Sequence, residues 1–331
     1  MTELIAQRLR SNGLLTDFES PLDVLRNTVG VQGQMQREAE MNIALRCPSV
    51  TAAQLTELYQ SRKIVRSWAN RWTLHLFTYD DWEMLINARQ GETLPAGYYQ
   101  GQDAIAAEIF PFAADSLSQV KRLKKSELAP LIAEKFPSFD FGGYAYNAIV
   151  QRLTQSGVAF VAADSNFRDH ELIFAEDFKR TRANDAIARL IPRYLAGFGP
   201  ASLQDFVKWS GLKITTVRPI WESLDLPKTV SADEKIFANK TIITARFDSI
   251  LTGYVDKTWL TPADKIPVMW TKNGYLLATI IQDGKLVGTW NMKISGKAIS
   301  FNIDAWDDYD NFQLTEKFKR IASFLNKKII D

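Results

Sequence analysis

Three times along the chain, short segments with apolar residues at helical spacing give way to a pair of short runs rich in β-branched and aromatic residues. In the first block, Ser20 and Pro21 supply an N-cap and a first-turn proline for a helix to about Val29. MQREAEMNIALR predicts a second helix, with Met35, Ala39, Ile43 and Arg46 near one stripe, and TAAQLTELYQSR (51–62) a third. IVRSWANRWTLHLF (64–77) then reads as a strand pair. In the second block, helices near 116–123, 126–135 and 143–155 precede GVAFVAAD and HELIF. In the third, NDAIARLIPRYLAGFG and ASLQDFVKWSGL lead into KITTVRPIWESL and short strand candidates through 241–246. There Pro200 and Ser202 start a helix, Gly211 makes the turn and another helix follows from about Ile214, which Pro219 should kink.

Helices followed by a two-stranded wing form the winged-helix arrangement, a variant of helix-turn-helix. After 247 the pattern changes to strands at 266–271, 274–282, 285–292 and 297–303, with Asn273-Gly274 and Asp283-Gly284 as tight-turn signals. That predicts a small antiparallel sheet or barrel, and a helix over 310–327 closes the chain. The expected fold is α+β: winged-helix units at 1–95, 96–182 and 183–246, then a small β-barrel with its terminal helix at 247–331.

At 331 residues the chain exceeds one typical core of roughly 100–200 residues, in keeping with several units. A net charge of +2 permits a nucleic-acid partner without requiring one. The single Cys47 excludes an internal disulfide and argues against a cysteine metal site, and His75 and His170 lie too far apart for ligand spacing, so neither metal nor cofactor is expected. MTELIAQRLR is a charged amphipathic helix pattern, unlike an apolar signal segment, and YLLATII (275–281) is far too short to span a bilayer. The expectation is a soluble, cytoplasmic, nucleoid-associated monomer without a membrane partner.

Familiar catalytic signatures are missing: there is no glycine-rich phosphate loop, HExxH, CxxC or GxSxG. The acidic pairs Asp80/Asp81 and Asp307/Asp308 fall in helix-start or turn contexts that suit capping. Strand alternation sets Trp72 and Leu74 on one face and Thr73 and His75 on the other, which makes His75 either a half-exposed strand residue or a wing residue touching DNA. KRLKK (121–125) is either a solvated helix face or a set of phosphate contacts, with Lys121, Arg122, Lys124 and Lys125 as the candidates. The stretch VGVQGQMQ (29–36) places Gln32, Gln34 and Gln36 beside two glycines. In a helix, residues i and i+2 point ~200° apart, whereas in an extended segment they project to one side. Gly30 and Gly33 make an irregular, extended entry plausible. The amides therefore either cap a helix start or form a neutral working site.

Five segments resemble, in order, motifs of the AlkZ/YcaQ superfamily of winged-helix DNA glycosylases. GVQGQMQREAEMNIALRC is similar to its G-L-Q-x-Q segment, and IVRSWANRWTLHLF to its L-V-R-T-W-x-x-R-G-T-L-H-L. RYLAGFGPASLQDFVKWSGL, FDSILTGYVDK and DGKLVGTW resemble later motifs, so the match spans most of the chain. The resemblance implies three winged-helix units and a C-terminal β-barrel around a DNA-binding concavity, acting on double-stranded DNA that contains alkylated purines. In some members the activity extends to unhooking interstrand crosslinks. The catalytic Q-x-Q carries over to Gln32 and Gln34, and leaves Gln36 outside. The TLH histidine carries over to His75, with Arg71 and Trp72 as neighbouring site-lining candidates. Gly33 stands where an aliphatic residue is usual, and Trp72 where the family has glycine.

A purine alkylated at N7 or N3 is cationic and leaves as a neutral base, so the enzyme needs no strong general acid. Preorganised amides that hold a water and stabilise the sugar cation are enough, and they cost less to desolvate than carboxylates. With no lysine in the matched motif, the expected enzyme is a monofunctional glycosylase. The alternatives are a non-catalytic winged-helix regulator, or a family member whose activity has drifted to another lesion or vanished. A regulator has no use for a Gln-x-Gln pair.

Overall fold

The segment before Gln32 is shaped by two local signals. In the computed structural model, which describes residues 2–92, 94–95, 97–163, 168–226, 236–271 and 274–330, helix α1 (Thr2–Ser11) leads to α2 (Pro21–Thr28). The Ser20 hydroxyl accepts from the Leu22 N–H and Pro21 occupies the first turn, as the sequence suggests. Val29 (φ 48°) and Gly30 (φ 88°) then reverse the chain in left-handed conformations. A Cβ on Gly30 would lie 2.2 Å from the Phe77 ring, so only glycine fits.

The reversal feeds β1 (Val31–Gln32), followed by α3 (Gln36–Arg46), α4 (Ala52–Gln60), β2 (Ile64–Trp68), β3 (Leu74–Thr78) and α5 (Tyr79–Ala88). Thr51 and Gln54 close a reciprocal capping box on α4. The second block repeats the order with α6 (Asp103–Val120), β4 (Arg122–Lys124), α7 (Lys125–Lys135), α8 (Ala145–Gln155), β5 (Ala159–Val161) and β6 (Glu171–Phe174). In both blocks the first strand, which follows α2 or α6, lies antiparallel to the last strand. The two strand pairs also join each other where Arg66 faces Val161, giving one six-stranded sheet ordered β1-β3-β2-β5-β6-β4. KRLKK is thus centred on an edge strand, not on a helix face, and the helix expected near 116–123 begins earlier, at Asp103.

The third block contributes α9 (Ala183–Phe198), α10 (Leu203–Ser210) and α11 (Ile214–Ser223). Ser202 and Asp205 form a capping box and Gly211 (φ 74°) ends α10, as the sequence indicates. Pro219 sits inside α11, which continues through it. The strand expected near 241–246 exists as β7 (Thr241–Thr244), but it pairs with a strand of the following unit, so among the described residues the third block has no wing of its own. That unit comprises α12 (Ser249–Thr252), α13 (Ile266–Met269), β8 (Ala278–Gln282), β9 (Lys285–Ser295), β10 (Ala298–Ala305), α14 (Asn311–Phe324) and β11 (Lys328–Ile329). Residues 266–269 are helical where a strand was expected, because Pro267 suits a first helical turn and cannot donate to a ladder. Asp283 and Gly284, both at positive φ, make the expected turn from β8 to β9, whereas Asn273 of the other turn signal lies outside the described residues. The sheet runs β11-β10-β9-β8-β7 with β7 and β11 as its edges, a curled half-barrel where a small antiparallel sheet or barrel was expected.

The largest core gathers α1, α5 and α9 to α11 around Trp82, Tyr194, Phe198 and Phe206, all fully buried. The second block has a core of its own, and Met41 of α3 packs into the core between the five-stranded sheet and α14. Among the described residues no helix is long and apolar enough to cross a membrane.

Candidate active site

Gln32 is held as a strand residue. In the β1–β3 ladder it lies opposite His75, and the Gly33 N–H continues the pairing by donating to the Leu74 carbonyl at 2.7 Å. The segment is therefore extended, which turns Gln32 and Gln34 to one side. Their amides meet: Gln32 Nε2 donates to Gln34 Oε1 at 2.7 Å. Gln32 is buried and Gln34 exposed, so the pair runs from the sheet toward solvent. The bond uses the nitrogen of one amide and the oxygen of the other, leaving the Gln32 oxygen and the Gln34 nitrogen for a substrate. Gln36 behaves differently. It begins α3, and its Nε2 donates to Glu40 Oε1 at 2.8 Å, an atom that also accepts from the Tyr59 hydroxyl at 2.9 Å.

Two further devices fix the segment. Arg66, 3% exposed in β2, donates through Nε to the Gly33 carbonyl at 3.0 Å and through Nη2 to the Gln34 carbonyl at 3.4 Å. Burial pushes its pKa below the usual arginine value, opposed by Tyr59 and Glu40 nearby. Behind the segment, α3 is clamped to the chain after β7. Arg46 forms a fully buried pair with Asp248 at 2.7 and 2.8 Å, Asn42 bonds the Ala245 N–H and the Arg246 carbonyl, and Glu38 accepts from the Arg246 N–H.

His75 is buried and faces the same side of the ladder as Gln32. Its Nδ1 lies 3.0 Å from the Thr73 carbonyl, which can only accept, so Nδ1 carries the proton and Nε2 is a bare acceptor. Burial first, then the Arg71 charge, pull its pKa down to about 3, so the ring is neutral at physiological pH. It stacks on Phe77 rather than standing half-exposed on a wing.

The turn between β2 and β3 does not project freely either. Arg71 (φ 50°) and Trp72 (φ 60°) are successive left-handed residues, and the Arg71 guanidinium donates to the Trp209 carbonyl at the end of α10 at 2.5 Å. Burial and the nearby Arg89 charge lower its pKa to about 10. Arg71 lines the same cleft as Gln32; Trp72 does not, and instead turns toward a separate cavity.

That cleft, about 240 Å³, is walled by Gln32, Arg71 and Thr73 from the first block, Lys208 from α10, Leu251 and Thr252 of α12, Tyr254 and Lys257 just after it, and Trp270, Thr271 and Gly274 to Leu276. Lys257 lies 4.2 Å over the Trp270 ring, and burial and the Lys208 charge lower its pKa. The neutral amide of Gln32, the rings of Tyr254, Trp270 and Tyr275, and the cations Lys208 and Lys257 in one cleft suit a flat base attached to an anionic backbone. The volume is slightly below the ~300–1,000 Å³ of small-molecule sites, room for one base. No group of three or more metal-ligating side chains occurs among the described residues.

The basic residues at 121–125 lie elsewhere. β4 and β1 are opposite edges of the six-stranded sheet, roughly 24 Å apart at ~4.8 Å per strand. Lys121 pairs with Glu176 at 3.1 Å, Arg122 with Glu171 at 2.6 Å, and Lys125 bonds Asn147 at 2.5 Å. Sequence reasoning passed over Arg66, Lys208, Lys257 and Trp270. The first three lie within the quoted motifs, as IVRSW, DFVKWSGL and GYVDK, but nothing local marks a lysine that folding brings from far along the chain into the cleft that Gln32 lines.

A family model described as DNA glycosylase AlkZ-like matches residues 25–324. An interstrand DNA cross-link repair glycosylase of Streptomyces sahachiroi is 24% identical over 310 residues, covering 82% of each chain. The solved structure of the Streptomyces sahachiroi DNA glycosylase AlkZ superposes with a TM-score of 0.79 at 18% identity, covering 99% of both chains. The chain belongs to the AlkZ-like family of DNA glycosylases.

Proposed function

We propose that this glycosylase hydrolyses the N-glycosidic bond of purines alkylated at N7 or N3 in double-stranded DNA, with Gln32 and Gln34 as its catalytic pair. The observation that carries the reading is the 2.7 Å amide–amide bond that links Gln34 to Gln32, which lines a cleft shared with Lys208 and Lys257. The chemistry needs no strong acid. The C1′–N bond breaks as the base leaves neutral, and water adds to C1′ while its proton passes to solvent. The Gln32 oxygen stabilises the sugar cation, and the linked Gln34 orients the water. Preorganised dipoles of this kind act without reorganising as charge develops. A neutral His75 adds no opposing charge beside them.

Residues 1–95 and 96–182 read as winged helices, because 21–78 and 103–174 within them each run helix, strand, two helices and a strand pair, with the first strand on the last. Residues 183–246 supply a third helical set and 247–331 the open sheet and terminal helix. A single chain contributes every wall of the cleft, which suits a monomer. Interstrand crosslinks, the substrate in the name of the Streptomyces relative, form a second substrate class. The test is incubation with DNA bearing 7-methylguanine, followed by alkaline cleavage at abasic sites, with anisotropy on unrelated duplexes alongside. Excision should accompany binding that depends weakly on sequence and falls with salt at roughly 0.9 log units per phosphate contacted. Absent excision combined with a preference of several kcal/mol for one unmodified sequence would mark a regulator instead.

A further inference from the structure

The turn that carries Arg71 separates two hollows. Behind it lies a larger cavity, about 700 Å³, lined by Trp72, Arg89, Tyr99, Phe110, Arg152 and Arg180 among others. Trp72 reaches it only from a left-handed backbone (φ 60°), a conformation that disfavours bulky residues. Non-glycine residues persist in such conformations when their surroundings fix them, and they cluster at functional sites. Here Arg89 stacks 4.6 Å from the Trp72 ring and is tied to the Ser210 carbonyl at 2.5 Å and to Glu92 at 2.6 Å. Arg89 is 6% exposed, and its Nε has no hydrogen-bond partner among the described residues. Glu92 neutralises Arg89, which leaves the charges of Arg152, held 4.4 Å from the Phe110 ring, and of the exposed Arg180, which donates to the Ser156 carbonyl and lies 4.8 Å from the Phe178 ring, against the single lining carboxylate of Asp103.

An aromatic floor with two arginines beside it is the chemistry that holds a nucleotide: the base stacks, the guanidinium groups take the phosphate. We propose that this cavity is a second nucleotide site, taking an unpaired nucleotide of the bound DNA with its base against Trp72 and its phosphate between Arg152 and Arg180. The proposal rests on the reading that the neighbouring cleft takes the damaged nucleotide. With Arg71 on one side of the turn and Trp72 on the other, the protein holds two displaced nucleotides back to back.

The test is equilibrium anisotropy with two labelled duplexes, one fully paired and one with a single unpaired nucleotide. Wild type, Trp72→Gly and the double variant Arg152→Gln/Arg180→Gln are compared. Glycine relieves the left-handed strain, so Trp72→Gly should keep its denaturation midpoint. Wild type should favour the unpaired duplex by about 5–150-fold, the range base–aromatic stacking supports, and both variants should lose most of that preference. No preference in wild type, or a preference that survives both variants, overturns the proposal. So does equal competition by free deoxyadenosine monophosphate, which would mean a free-nucleotide site. Excision of 7-methylguanine from the paired duplex, run on the same wild-type protein, reports on the neighbouring cleft alone, so the two readings fail separately.

Discussion

Replacing Arg66 with methionine should separate catalysis from DNA binding. The guanidinium contributes a hydrogen bond at 3.0 Å to the Gly33 carbonyl and a weaker one at 3.4 Å to that of Gln34, and nothing in the cleft lining includes it. Hydrogen bonds to a charged group contribute roughly 1.5–3 kcal/mol each, and the longer one less. Methionine fills much of the volume but frees both carbonyls, so the Gln34 peptide is no longer held to the sheet. A displacement near 1 Å in a positioning group costs up to about 10² in rate. Single-turnover excision should therefore slow by roughly 10–100-fold, equivalent to about 1.4–2.7 kcal/mol of barrier. DNA affinity, read by anisotropy, should stay within about threefold, because Arg66 is buried and lies outside the cleft lining. Arg66→Lys should recover part of the rate through a single charged donor. Denaturant midpoints identify any loss that comes from unfolding. A rate within twofold of wild type, or an affinity that falls as far as the rate, refutes the positioning role.

Other consequences can be checked directly. Arg46→Ala leaves Asp248 charged and buried without its partner, so unfolding by urea should show a loss of about 3–5 kcal/mol; a loss under about 1 kcal/mol contradicts the clamp on α3. Gly33→Ala places a methyl 3.3 Å from the His75 and Leu76 backbone and from the Leu76 side chain, which should cost about 1 kcal/mol or more by the same measurement. His75 stays neutral in the fold with its pKa lowered to about 3, whereas the unfolded residue titrates near 6.5. The unfolded chain thus takes up the proton first as pH falls, so this contribution is fully present above about pH 6.5 and is lost between there and about pH 3. Its slope is up to about 1.4 kcal/mol per pH unit, and His75→Gln should flatten the stability–pH curve by that amount over pH 6 to 4.

Much of this fold is legible in local sequence because local chemistry fixes it. Ser20-Pro21, the Ser202 cap with Gly211, and Asp283-Gly284 each mark an element boundary that the structure keeps. What the sequence misplaces depends on partners far along the chain. KRLKK becomes a strand because β6, about 50 residues later, offers a ladder, and β7 joins β8 instead of a third wing. His75 reads as half-exposed from alternation alone, yet β1 and the docked turn at 70–72 bury it. The Gln-x-Gln spacing is visible, but whether its side chains meet depends on the extended backbone that Leu74 and Arg66 impose. Lys208 and Lys257 reach the cleft only through the packing of α10 and α12, beyond any local signal.

The central claim is that the amide pair performs the chemistry, and single-turnover excision of 7-methylguanine by three alanine variants tests it most directly. Gln32→Ala and Gln34→Ala each remove one preorganised polar group, a loss that typically costs about 10²–10³ in rate. Because a cationic base already leaves readily, at least a tenfold slowing is expected here, with DNA affinity little changed. Gln36→Ala should excise at close to the wild-type rate, since Gln36 is turned into α3 against Glu40. Normal excision by the Gln32 and Gln34 variants, or a loss confined to Gln36→Ala, would contradict the assignment.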